Sequence, residues 1–167
     1  MEELTLKSKI IVCTKNELAK EEQQLVDTAI RQTDSSYAPH SHFCVGAALL
    51  LENGTIVEGC NQENAVFPAG ICAERSAIFS AGAQYPNEPV VAIAVAARSP
   101  EGKLTEDPVS PCGVCRQVIR EFCDDDFKII LLTEQTGGEN KYQVYDLTEI
   151  LPLSFGPKDM HIKPRNS

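Results

Sequence analysis

No apolar run in the sequence approaches the about 20 residues a helix needs to cross a bilayer, so no membrane partner is expected. Positive charge is also in short supply. Lys and Arg number 15 against 24 Asp and Glu, a formal net charge of −9. Proteins that hold long nucleic acids carry a basic stripe that displaces counterions from phosphates. Here basic residues occur only in short spots such as Lys7-Ser8-Lys9, so a polynucleotide substrate is disfavoured and no nucleic-acid partner is expected. Histidine is scarce: His40, His42 and His161 have no zinc-finger spacing. The segment MEELTLKSKIIVCT has acids where an export signal is basic, and its apolar run is too short, which points to a cytoplasmic protein. Repeats, low-complexity tracts and dividing linkers are missing, so the 167 residues read as one domain, 1–167, long enough to bury a core.

What is present begins with seven cysteines, at 13, 44, 60, 72, 112, 115 and 123. An odd count without an export signal argues against a disulfide framework. Cys13, Cys44, Cys60 and Cys123 sit in or beside apolar runs and read as small buried hydrophobes. Residues 9–13 are a short candidate strand. Asn16 is placed to cap a helix running to about Asp34, with Leu18, Leu25, Val26, Ala29 and Ile30 as its apolar face. FCVGAALLLENGTIVEGC reads as strand, Asn-Gly turn, strand. A helix follows from about Cys72 to Gly82. VVAIAVAAR has the length of a strand and is apolar almost throughout, as expected of a strand covered on both faces. SPCGVCRQVIREF opens another helix at Ser110-Pro111, FKIILLT and KYQVYD are further strands, and LTEILPLSFGPKDM is a short helix and tail. A hairpin followed by alternating units predicts an α/β fold: a three-layer α/β/α sandwich with a mixed sheet of about five strands. Open sheets of this kind place sites beyond strand ends, where helices begin.

Cys112 and Cys115 are three residues apart at a predicted helix N-terminus, on one helix face. Thiolates are stabilised there by unpaired N–H groups and the helix dipole. A structural zinc site takes four ligands, and no second Cys-x-x-Cys or His pair exists. A redox pair would sit after the first strand of a thioredoxin-like order, and this one comes late. Cys72, at another helix start, supplies a third thiolate. Three protein ligands and one open position is the layout of a catalytic zinc. Within the same turn, Glu74 lies close to this candidate metal without being on it; by itself, a first-turn glutamate is also what a helix dipole favours. Three thiolates leave a zinc centre with net negative charge, which makes it a poorer acid. Arg75 is placed to offset this by donating to sulfur, and Arg116, beside Cys115, is placed for the same kind of contact.

Cys72-Ala73-Glu74 with Pro111-Cys112-Gly113-Val114-Cys115 matches the signature of zinc nucleobase deaminases, in which a non-ligand Glu moves protons. More narrowly, SHFCVGAALL, GCNQENAVFPAGICAERSA, SPCGVCRQVIREF and LPLSFGP, spanning residues 41–157, resemble the small, homotetrameric, three-cysteine cytidine deaminases. The resemblance implies an α/β/α fold, one Zn²⁺ per subunit, and hydrolytic deamination of cytidine and deoxycytidine to uridine and deoxyuridine in pyrimidine salvage. It implies Cys72, Cys112 and Cys115 as ligands, Glu74 as proton shuttle and Arg75 as the partner of a thiolate. Asn61 and Glu63 resemble the ribose clamp, and a carboxylate there would repel a 3′-phosphate. Phe43 is implied to stack on the base, the N–H of Ala73 to meet the pyrimidine carbonyl, and Phe155 to enter a neighbouring subunit's pocket. The chain departs from the family at His40, where Tyr is common, and at Phe67, which lacks a tyrosine hydroxyl at the sugar rim. The alternatives are a deaminase of a modified cytosine nucleoside of the blasticidin type, a non-catalytic zinc-binding module and a polynucleotide-editing enzyme.

Overall fold

A computed structural model of the chain describes residues 1–133 and 140–162. Six strands form one sheet: β1 (Ile11–Thr14), β2 (Cys44–Leu51), β3 (Ile56–Cys60), β4 (Val90–Arg98), β5 (Lys128–Thr133) and β6 (Lys141–Asp146). Their order is β1-β6-β5-β4-β2-β3. Among the described strands only the β4–β5 pairing is parallel; the other strand pairs are antiparallel. The predicted hairpin is β2–β3, closed at Asn53-Gly54, where Gly54 takes φ +84°, a conformation that suits glycine. The count of about five strands is corrected to six. The strand beyond five is β1, a four-residue edge strand whose first two residues are exposed; it falls on the short candidate strand at residues 9–13.

Alternation along the central strands sends residues to two cores. Ala47, Leu49, Ile93, Val95, Ile129 and Leu131 face one layer. Ala48, Ala92, Ala94, Ile130 and Leu132 face the other. Because both sides of β4 are covered, its sequence is apolar almost without interruption. Helix α1 (Lys20–Gln32) packs Leu25, Val26 and Ala29 on the second face. Its start is later than expected: Lys15–Glu17 is a separate 3-10 turn, and Ala19 precedes the first helical residue. Helices α2 (Ala73–Gln84), α3 (Gly113–Phe122) and α4 (Leu147–Ile150) cover the first face.

Two features place the ends of α2 and α3 together. A Cβ at Gly59 in β3 would come within 2.5 Å of Ala77 N and 2.6 Å of Ala73 O, so only glycine lets the first turns of α2 lie this close to the sheet. Helices α2 and α3 also touch through Phe79 and Phe122, whose ring centroids are 5.9 Å apart. Their N-termini therefore open on the same side. Among the described residues no helix is long and apolar enough to cross a membrane.

Candidate active site and metal centre

The residue immediately before each of these two helices is a cysteine. Cys72 and Cys112 are both in extended conformation and act as N-caps, and their carbonyls accept the first helical N–H bonds, from Ser76 at 3.0 Å and Arg116 at 2.9 Å. This corrects the expectation that the helix opens at Ser110-Pro111. Pro111 stays outside the helix, and the Ser110 hydroxyl instead accepts Arg116 Nη2 at 2.9 Å. Cys115, fully buried in the first turn of α3, joins the other two. Cys112 Sγ lies 3.9 Å from Cys72 Sγ and 3.5 Å from Cys115 Sγ, and all three sulfurs fall within 4.8 Å of one another. Tetrahedral zinc with Zn–S bonds of about 2.3 Å separates its sulfurs by about 3.8 Å. Spacing and donor type both fit that ion, and the two helix N-termini add positive potential behind the sulfurs.

Burial and charge around the trio are unequal. Cys72 is pulled down to about 5, chiefly by a hydrogen bond from the Cys115 thiol and, against partial burial, by Arg75. Cys115 is pushed up by its bond to Cys72, by burial and by the charge of Glu74. Without metal, the proton therefore resides on Cys115 and the negative charge on Cys72. Arg75 Nη2 lies 3.7 Å from Cys72 Sγ, as expected from the sequence, and its buried Nε has no hydrogen-bond partner. Arg116 does not make the contact expected of it. Its guanidinium binds the carbonyls of Pro111 and Ile150, each at 2.8 Å, and so ties the loop before Cys112 to the end of α4. Glu74 is buried, with 5% of the residue exposed. Burial first, and then the neighbouring Cys72 charge, raise its proton affinity.

Arg75→Gln shortens the side chain and removes the charge beside Cys72. Outer contacts to metal ligands are worth about 10–100-fold in metal affinity. The variant is expected to lose zinc to a chromogenic chelator at least about tenfold faster than the parent chain, and an unchanged loss rate would remove Arg75 from the site.

Cys72, Cys112, Glu74 and Arg75 line a cavity of about 480 Å³ whose wall also includes Asn61, Glu63, Phe67, Ala73 and His40, while Cys115 lies behind it. Asn61 Oδ1 accepts Val45 N at 2.8 Å and also the Ser36 hydroxyl, while Nδ2 donates to Phe43 O at 3.0 Å. An amide nitrogen has two hydrogens, so Asn61 keeps one for a ligand. Glu63 Oε2 accepts the N–H groups of His40 and Ser41 at 2.8 and 3.2 Å; the Ser41 hydroxyl first, and then the His40 N–H, lower its proton affinity and hold it as a carboxylate. Ala73 is the first helical residue of α2, so its N–H has no partner inside the helix. Phe67 is exposed at the rim and meets the His40 ring edge-on, with centroids 5.9 Å apart. Phe43 and Phe155 are not in this wall. Phe43 contributes its carbonyl to Asn61, and the half-buried Val45, two residues on, lines the cavity instead. Phe155 stands 64% exposed on the tail. The sequence reading missed Val45, Ile71 and Val109 as wall residues. Ile71 was within reach, because it immediately precedes Cys72 and bridges Gln62 in the polar loop.

A family model for the cytidine and deoxycytidylate deaminase zinc-binding region matches residues 19–131, which include all three cysteines of the trio and Glu74. The chain belongs to the cytidine and deoxycytidylate deaminase family. It is 41% identical over 139 residues to a cytidine deaminase of Halalkalibacterium halodurans, covering 83% of this chain and 97% of that one. The crystal structure of a cytidine deaminase from Burkholderia pseudomallei superposes with a TM-score of 0.68 at 38% identity, over 79% of this chain and 97% of that chain. A Blasticidin-S deaminase of Bacillus cereus is a more distant relative, 29% identical over 83% of this chain and 94% of its own. As a member of this family the chain carries a zinc-binding region, and Cys72, Cys112 and Cys115 are the cluster within it that can hold the metal.

Proposed function

We propose that the whole chain, as one domain, is a zinc-dependent hydrolase that converts cytidine and deoxycytidine to uridine and deoxyuridine with release of ammonia. The observation that carries this reading is the buried Glu74 carboxyl, set two residues from the Cys72 thiol at a cavity that also presents Asn61 and Glu63. Zinc held by Cys72, Cys112 and Cys115 supplies, when bound, an acid that lowers the pKa of water from about 15.7 toward about 7. Glu74 takes a proton from the attacking water and delivers it to N3 of the pyrimidine as oxygen adds at C4. It then takes the second proton from the new C4 hydroxyl and passes it to the amino group, so that the C4 carbonyl forms as the C–N bond breaks and ammonia leaves. Burial suits it to both steps, because it favours the protonated form. The N–H of Ala73 orients the base through its carbonyl. Asn61, with one free N–H, and the carboxylate of Glu63 hold the sugar hydroxyl, and Glu63 repels a 3′-phosphate. Arg75 offsets the charge of the thiolates. Phe67 closes the sugar rim, and Phe43 packs behind the base segment through Val45 and Asn61.

The same reading makes the enzyme a cytoplasmic homotetramer in which Phe155 of each subunit completes a neighbour's pocket. What supports this is the position of Phe155, exposed and outside the wall of its own cavity. The test is metal analysis together with an ultraviolet assay on the purified chain. One zinc per chain and turnover of cytidine and deoxycytidine are expected, with cytidine 3′-monophosphate turned over less efficiently, because the Glu63 carboxylate repels a second negative charge. Zinc without turnover would leave a binding module. A kcat/KM higher for blasticidin S than for cytidine would move the substrate to the modified nucleosides.

A further inference from the structure

The tail that carries Phe155 is fastened to helix α3, the helix whose first turn holds the metal cysteines. Gln117 Nε2 donates to Phe155 O at 2.9 Å. One turn on, Arg120 is 9% exposed and donates from Nη1 to Asp125 Oδ1 at 2.6 Å. The other oxygen of Asp125 accepts Lys158 Nζ at 2.7 Å, from beyond Phe155. Between these points Gly156 lies flat on the Arg120 stem: a Cβ there would be 3.0 Å from both Cγ and Nε of the arginine. Asp159 closes the turn by accepting Gly156 N at 2.7 Å. On the near side, Arg116 holds Ile150 O. The stretch from 150 to 158 is thus pinned on both sides of Phe155, while the ring itself points to solvent and Leu153 beside it takes φ +54°. A large exposed aromatic on a backbone fixed at this many points is arranged in advance for binding, because little freedom remains to be lost when the ring is buried.

We infer that Gln117 and Arg120 are positioning residues for Phe155, so that α3 serves two pockets: its own through Cys112 and Cys115, and a neighbour's through the mount of Phe155. This rests on the reading that Phe155 works in a neighbouring subunit. Nothing in the sequence singles out Gln117 or Arg120, since both are ordinary residues of an amphipathic helix.

The experiment separates the two ideas by mixing subunits. An acceptor chain carries Phe155→Ala with Glu74 intact. A donor chain carries Glu74→Gln with Phe155 intact, in about ninefold excess, an excess chosen so that acceptor pockets border donors by mass action. Loss of one aromatic contact is expected to raise the acceptor's KM for cytidine about tenfold when it is alone, with little change in kcat. The plain donor is expected to bring KM back to within about twofold of the parent value. A donor that also carries Gln117→Leu and Arg120→Met is expected to leave KM raised about fivefold or more, while kcat per acceptor is unchanged. Zinc content and elution volume of the clamp donor report its assembly. Gln117→Leu alone, at an exposed position that leaves the core intact, is expected to leave KM raised about threefold and covers the case in which the double change does not assemble. Full rescue by both clamp donors would overturn the positioning role. No rescue by the plain donor would instead overturn the neighbour reading itself.

Discussion

Glu74→Gln is expected to keep the zinc and the fold and to lose at least about a thousandfold in kcat, with KM for cytidine nearly unchanged. The substitution keeps the shape of the side chain and removes only its ability to carry a proton. Acid–base transfer by one positioned group is worth roughly 10²–10⁴ in rate. Glu74 is asked to act more than once, on water, on N3 and on the departing amine, so the upper half of that range applies. The position also limits substitutes for it. The residue is 5% exposed, leaving bulk water little room to take over the transfer. A glutamate that merely suited the helix dipole would give the opposite pattern: normal turnover and a small loss of stability, about 0.3–1 kcal/mol. Steady-state kinetics, zinc content and a melting curve on one preparation separate the two outcomes. A Glu74→Gln enzyme with a tenth of the parent rate would remove the residue from the chemistry.

The sequence revealed those parts of the site that depend on local structure. Cys72 and Cys112 are residues that end one kind of backbone and begin another, and the Asn53-Gly54 turn fixes which strand faces α2. Local chemistry of this kind is readable because capping and turn preferences act within a few residues. The parts that were not legible depend on distant partners. Arg116 looked like a second cation for the thiolates, yet two carbonyls, one of them 34 residues away at the end of α4, compete for its guanidinium more effectively. Phe43 looked like a base-stacking ring, but the amide of Asn61 grips the backbone on both sides of Cys44, and it is Val45 that reaches the cavity wall. Strand β1 is legible only as the short apolar run at residues 9–13, because an exposed edge needs no apolar alternation; its pairing to β6 comes from the far end of the chain. Gly59 illustrates the same limit. It looks like any strand glycine, and only the approach of α2 shows that a methyl group would collide with the backbone that carries Ala73 and sets the direction of Cys72.

Cys115→Ala is expected to have the second largest effect, and it tests the metal rather than the proton shuttle. Cys115 is the most enclosed of the three sulfurs, with no exposed surface, so no solvent ligand can approach from its side to replace it. Two thiols remain, one of them on the exposed Cys112. The expected result is less than about a tenth of a zinc per chain after dialysis, a zinc affinity lower by at least about 10³, and no measurable turnover. Such a loss of affinity is about 4 kcal/mol of binding energy, and binding to the native state is also stability. The parent chain should therefore melt at a lower temperature after chelation, and the variant should melt at one temperature with or without chelator. Cys72→Ala should behave alike, although its sulfur comes from a different helix. That shared outcome distinguishes a three-sulfur metal centre from a redox pair of Cys112 and Cys115, for which Cys72 would be dispensable and zinc irrelevant. There is a further consequence in the metal-free protein. The Cys115 thiol is the main reason that Cys72 sits at about 5. Without that donor the Cys72 pKa rises toward that of an ordinary thiol, so the thiolate fraction at pH 7 falls. Alkylation of metal-free Cys72 by iodoacetamide at pH 7 should slow in Cys115→Ala, and the difference should vanish above pH 9, where both proteins carry the thiolate. Equal alkylation rates at pH 7 would mean that Arg75 alone sets the charge on Cys72.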